Sequence, residues 1–145
     1  MEAAVAIAIL TAGMVSLAGL ASVAVRTTAL ARDRSMAAVL AAQKMEQLSV
    51  AAVSLPPSSP AALTGDQAGC VEYLDRTGTV LEGGRGALGV VYVRRWAVWS
   101  LPAAGNLLAI EVAVGPCRRA QPPGGACGDT GSSVHLASVR SRVAW

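Results

Sequence analysis

The sequence predicts an α+β fold in which one long N-terminal helix packs on a small antiparallel β-sheet. Three observations carry this expectation. Residues 3–25, AAVAIAILTAGMVSLAGLASVAV, run for 23 positions without a charge or a proline. Residues 26–53 contain neither glycine nor proline and are dominated by Ala, Leu, Met, Gln, Lys, Glu and Arg, all good helix formers. Beyond residue 69, runs of β-branched and aromatic residues alternate with Gly/Pro-rich turns. The chain therefore divides into an apolar helix half (1–25), an amphipathic helix half (26–55), a linker (56–69) and a sheet region (70–145).

The apolar half is long enough to cross a bilayer. At ~1.5 Å per residue it reaches roughly 35 Å, against a hydrocarbon core of ~30 Å. A secretory signal peptide has an apolar region of only about 7 to 15 residues followed by a small-residue cleavage site. This stretch is longer and continues into a charged helical segment, so a retained membrane-spanning or bundle-forming helix is expected. From residue 26 onward, Leu30, Ala37, Ala41, Met45, Leu48, Ala52 and Leu55 step mostly by three or four, which is one helix face. Arg32, Arg34, Lys44 and Glu46 are expected mainly off that stripe. Pro56, Pro57 and Pro60 end the helix, because proline lacks the amide donor and clashes with the preceding turn. The expected helix has roughly 50 residues and a length of about 75 Å at ~1.5 Å per residue.

Residues 54–69 are rich in Pro, Ser and Gly and show no periodicity. Cys70–Leu74 and Thr79–Leu81 flank turn residues and read as a hairpin, and GGRG at 83–86 reads as a loop. Val90–Ser100 is the strongest strand. Leu107–Val114 returns with Leu108, Ile110, Val112 and Val114 on one face, and Val134–Trp145 alternates imperfectly. Three late strands joined in sequence imply an antiparallel meander with one face free to cover the helix stripe. Trp96 and Trp99, three apart on one strand, face opposite sides, so one is expected in the core and one outside. Trp145 either caps the sheet or marks a subunit contact.

A chain of 145 residues is about one domain, and the part left after the helix cannot hold a large enzyme core. The formal charge of +3 comes from scattered arginines and does not by itself point to nucleic acid. The three cysteines, Cys70, Cys117 and Cys127, lack metal-site spacing, so no metal or other cofactor is expected. No paired carboxylates or nucleophile motif appear. His135 is the only histidine, without a recognised nucleophile motif beside it, and is expected at a surface or strand position. GGRG lacks the Lys-Ser/Thr of a phosphate loop. An enzyme is the least favoured class.

The order of parts resembles a type IV pilin: an acidic residue, an apolar helix, an amphipathic extension and an antiparallel sheet. Glu2-Ala-Ala-Val-Ala-Ile-Ala-Ile-Leu with Gly13 and Leu17-Ala-Gly-Leu20 is similar to the N-terminal helix of minor pilins. Ala41-Ala-Gln-Lys-Met-Glu-Gln-Leu48, Arg94-Arg-Trp96, Leu101-Pro102 and Val139-Arg-Ser-Arg-Val-Ala-Trp145 resemble the type IV pilus modification protein family. The resemblance covers the helix well and the sheet more loosely.

It implies a structural subunit that helps assemble or prime a pilus-like filament, with other major and minor pilins, an inner-membrane assembly platform and a prepilin peptidase as partners. No small-molecule substrate is implied. The chain would sit in the inner membrane with its sheet in the periplasm, and then in a surface or periplasmic filament. In pilins the glutamate matching Glu2 pairs with the N-terminal amine of a neighbouring subunit; the other reading of Glu2 is a solvated residue in the headgroup layer. An acid beside hydrocarbon is costly unless paired. Gly13 and Gly19 would let neighbouring helices approach closely, or else are ordinary membrane-helix glycines.

Cys117 and Cys127 would bridge in an oxidising periplasm, as pilin disulfides do, for about 2 to 3 kcal/mol in the chain-entropy model. Three unpaired thiols, or a bridge using Cys70, remain open alternatives. Only Met1 precedes Glu2, so the basic leader, the cleavage glycine and the first mature residues of a prepilin would lie before this start, making Met1 an internal methionine. As written, Arg26, Arg32 and Arg34 follow the span and no positive charge precedes it, which would favour a cytoplasmic sheet; a basic leader would restore the pilin orientation. The alternatives are a type II secretion pseudopilin and a signal-anchored periplasmic binding domain.

Overall fold

The computed structural model describes residues 2–51, 57–101, 107–117 and 133–141. It has one long helix and one four-stranded antiparallel sheet, an α+β fold. Helix α1, Glu2–Ala51, is 50 residues long. The chain divides into two compact units, Met1–Asp33 and Arg34–Trp145. The sequence division at 25/26 marks where charge begins. The compact unit begins later because the first helix residues covered by other elements are Met36 and Ala37.

In the first unit the apolar side chains are exposed on all sides, Val5, Ile7, Leu10, Met14, Leu17, Leu20 and Val25 among them. Leu30 belongs to the stripe read from the sequence but is 46 % exposed. In the second unit the stripe is buried, with Ala37, Leu40, Ala41 and Leu48 in the core and Met36 and Met45 packed against it. Lys44, expected off the stripe, is buried among them at 9 % exposure, because the half-buried carboxylate of Glu72 awaits it there. Ala52 and Leu55, the last stripe positions, lie outside the described residues.

The strands are β1 (Val71–Leu74), β2 (Tyr92–Ser100), β3 (Leu107–Pro116) and β4 (Val134–Ser141). They lie in the order β1-β2-β3-β4, each antiparallel to its neighbour. Strand alternation sends Leu74, Tyr92, Trp96, Val98, Leu108, Ile110, Val112 and Val114 into one cluster with the α1 stripe. The four residues expected on one face of Leu107–Val114 are all there. Ala37 and Ala41 bring small side chains to the sheet, which lets the helix backbone approach closely. Leu74 is wholly buried in this cluster. Leu74→Ala is expected to cost about 3 kcal/mol through lost transfer energy and the cavity left behind, read as a lower denaturant midpoint at unchanged slope.

The opposite face of the sheet is partly covered by loops. Tyr73, Val90 and Val93 pack with Val71, Leu81, Ala87 and Cys117, while Ala62, Cys70 and Ala97 pack with Leu63 and Trp99. Trp96 and Trp99 thus take opposite faces, with Trp96 in the helix-facing core and Trp99 half-buried outside.

One expectation is corrected. The hairpin partner Thr79–Leu81 is not a strand; only Val80 bridges to Leu74. Asp75 bends this segment into a tight turn, its Oδ1 accepting from the Thr77 and Thr79 amides at 2.8 and 2.9 Å. The part of the linker that is described is ordered against the sheet. Ser58 exchanges bonds with Val98, its amide donating to the Val98 carbonyl at 2.6 Å and its hydroxyl accepting from the Val98 amide at 2.8 Å. Ser59 caps a short 3-10 helix, Pro60–Leu63, whose Ala62 is buried. Gly84–Gly86, within the expected GGRG loop, forms one 3-10 turn. Trp145 lies outside the described residues.

Candidate functional site

The first candidate surface is the apolar helix segment. Among described residues, Glu2 is its only charged group before Arg26, and it is exposed. Ser16 donates to the Ala12 carbonyl at 2.9 Å, Ser22 to Gly19 at 2.8 Å, and Thr28 to Ala24 at 2.8 Å. Each of these hydroxyls is satisfied by its own helix, which is what a segment surrounded by hydrocarbon requires. A Cβ at Gly13 or Gly19 would meet nothing within 4 Å, so both positions are open notches in the surface. By length and composition α1 is long and apolar enough to cross a membrane, and its apolar window is not buried by the rest of the chain.

The second is a polar cluster within the Arg34–Trp145 unit, in which two buried cations meet a half-buried carboxylate. Alternation places Glu72 of β1 opposite Arg94 of β2 on the helix-facing side. Arg94 donates through Nε to Glu72 Oε2 at 2.8 Å, pairs with it again through Nη2, and donates through Nη1 to the Leu40 carbonyl of α1 at 3.1 Å. Lys44 of α1 donates through Nζ to the other carboxylate oxygen of Glu72 and lies 3.8 Å from the centroid of the Trp96 ring. The cluster joins one helix to two strands. Burial pushes the Glu72 carboxyl up, but the bonds from Lys44 and then Arg94 outweigh it and hold the group below its ordinary value.

A smaller pair lies on the other face, where Asp66 accepts from Arg95 Nη2 at 2.8 Å. The Arg95 bond holds Asp66 below the usual carboxylate range; burial, and then the bond to Asp66, pushes Tyr73 up.

His135 has neighbours that the sequence did not show. It stands on β4 as expected, but it is flanked: Ser133 Oγ lies 3.2 Å from Nε2 and Glu111 Oε1 lies 3.3 Å from Nδ1. The spacing Ser133-x-His135 is present in the sequence, but Ser133 falls before the strand expected from Val134, and Glu111 comes from another strand and needed the register. Arg94, a charge between Tyr92 and Trp96 on one face of the best strand, was the available signal for an inward-facing pair; its partner was not visible.

Of the site residues named from sequence, Glu2, Gly13 and Gly19 all lie on the exposed apolar helix. Cys117 is disulfide-bonded and Cys70 is free and buried. The chain's remaining cysteine, Cys127, lies outside the described residues. Among described residues no group of three or more His, Cys, Asp or Glu is placed to hold a metal ion.

Fold and surfaces together define a small α+β protein carrying an apolar helix of membrane-spanning length. No family model, no curated protein and no solved structure matches this chain.

Proposed function

We propose that the chain is a minor pilin, a structural subunit that enters a type IV pilus-like filament through its N-terminal helix. The observation that carries this reading is the form of α1. An apolar, uncovered segment headed by a single carboxylate continues without a break into an amphipathic segment whose stripe is the core of a sheet domain. A helix apolar on all sides needs lipid or other helices around it. A membrane stores such a subunit, and a helical bundle of subunits replaces the lipid on assembly. The chain would first sit in the inner membrane with its sheet in the periplasm. Its partners are other pilins, the inner-membrane assembly platform and the prepilin peptidase acting on the precursor.

Mass spectrometry of the N-terminus of the native protein tests this. A methylated N-terminus a few residues before Glu2 supports prepilin processing, in either a pilus or a type II secretion pseudopilus. An unprocessed chain starting at Met1 removes the pilin reading and leaves a signal-anchored domain. Under the pilin reading, Glu2→Gln leaves membrane insertion intact and lowers incorporation into filaments at least tenfold, the factor that loss of ~1.4 kcal/mol of pairing produces. Quantitative immunoblotting of sheared filaments against membranes measures it; equal incorporation removes the role assigned to Glu2.

A further inference from the structure

Ser133, His135 and Glu111 form a line of hydrogen bonds on the sheet face opposite the α1 stripe. Ser133 directly precedes β4 and His135 is its second residue, so their side chains share a face. The register pairs His135 with Ala113 and Glu111 with Ala137, which makes Glu111 a diagonal neighbour of His135 and brings its carboxylate to the ring. An ionised carboxylate only accepts. Its place at Nδ1 therefore fixes the proton of the neutral imidazole there, and Nε2 turns its lone pair to the Ser133 hydroxyl. Nucleophile, base and orienting acid stand in the order that activates a serine. The His135 side chain is 53 % exposed, so a reactant reaches the ring from solvent.

We propose that Ser133 is a base-activated nucleophile that accepts acyl groups from activated esters, with His135 as its base and Glu111 as the positioning residue. Ser133 Oγ bonds to the ester carbonyl carbon while its proton passes to His135 Nε2. The tetrahedral adduct collapses, the carbon–oxygen bond to the alcohol breaks, and the alcohol leaves with the proton held by His135. Water then repeats the sequence, releasing the acid and restoring the serine; nothing is oxidised or reduced. This inference stands on β3 and β4 alone and is independent of the pilin reading.

The test treats the full chain in detergent with a fluorophosphonate probe, maps the labelled residue by peptide mass spectrometry, and follows nitrophenolate release from p-nitrophenyl acetate. Labelling at Ser133 is expected, together with a fall of at least roughly 100-fold in both rates for His135→Gln, the lower end of general-base contributions. Glu111→Gln slows both reactions, and Glu111→Asp, which keeps a carboxylate, recovers most of the rate. Unchanged circular dichroism and melting of the variants show that the fold is kept. Labelling of Ser133 no faster than of Ser138, or a Ser133 rate indifferent to His135→Gln, overturns the proposal.

Discussion

Glu72→Gln is expected to destabilise the Arg34–Trp145 unit by about 3 kcal/mol, because it leaves two buried cations without their shared anion. The side chains of Lys44 and Arg94 are 11 % and 4 % exposed, so water does not replace the lost carboxylate. Thermal unfolding followed by circular dichroism in detergent should show a fall of roughly 10 °C. The cluster as a whole is a different matter. Replacing Lys44, Glu72 and Arg94 together by methionine removes all three charges of the cluster at once, and such exchanges are often neutral in stability. The triple variant is therefore expected within about 1 kcal/mol of the parent, so that the single change is much worse than the triple. A single variant as stable as the parent would mean that the cluster is solvated in solution.

The same carboxylate sets a pH dependence whose sign follows from its environment. The folded Glu72 titrates below its ordinary value of 4.5. Its contribution is complete above 4.5 and is lost as pH falls from there through the folded value, because the unfolded chain takes up the proton first. Asp66 and Asp75, also held below their ordinary value, add acid sensitivity of the same sign. Below pH 4.5 the parent should lose stability more steeply than Glu72→Gln, and the two should converge.

Gly78→Ala is the second large effect, expected near 3 kcal/mol from two sources. The residue has φ +88°, and the Cβ of an alanine would stand 2.6 Å from Leu40 Cδ2. A non-glycine residue held in that backbone region costs on the order of 1 to 3 kcal/mol, and overpacking a filled core costs about as much again. Leu40 is 2 % exposed and belongs to the main cluster, so it has little room to retreat. The Asp75 turn holds Gly78 in place, its amide donating to the Asp75 carbonyl at 3.3 Å. Gly69 separates the two sources, since at φ +81° nothing lies within 4 Å of an added Cβ. Gly69→Ala should carry only the backbone part, roughly 1 kcal/mol. Equal losses at both positions, measured by denaturant unfolding, would rule out the contact with Leu40 as a cause.

Sequence alone determined what depends on period and composition. The uncharged run at 3–25, the proline-free continuation and the alternation at Leu108, Ile110, Val112 and Val114 each report a local rule of backbone geometry, and the helix, the meander and the shared core follow from them. The same reading of period failed where one residue's partner decides its fate. Lys44 looked solvated because charge normally is, and it is buried because β1 supplies Glu72 to it across the fold. Thr79–Leu81 looked like a strand, but the Asp75 side chain captures the Thr79 amide, and what remains is the Val80 bridge to Leu74 with the Leu81 amide donating to the Tyr73 carbonyl. His135 looked isolated because Glu111, the acid bonded to it, stands 24 positions earlier in the chain and meets it only through the β3–β4 register. Local preference is written along the chain, whereas pairing of charges depends on distance in space, and only the tertiary structure sets that.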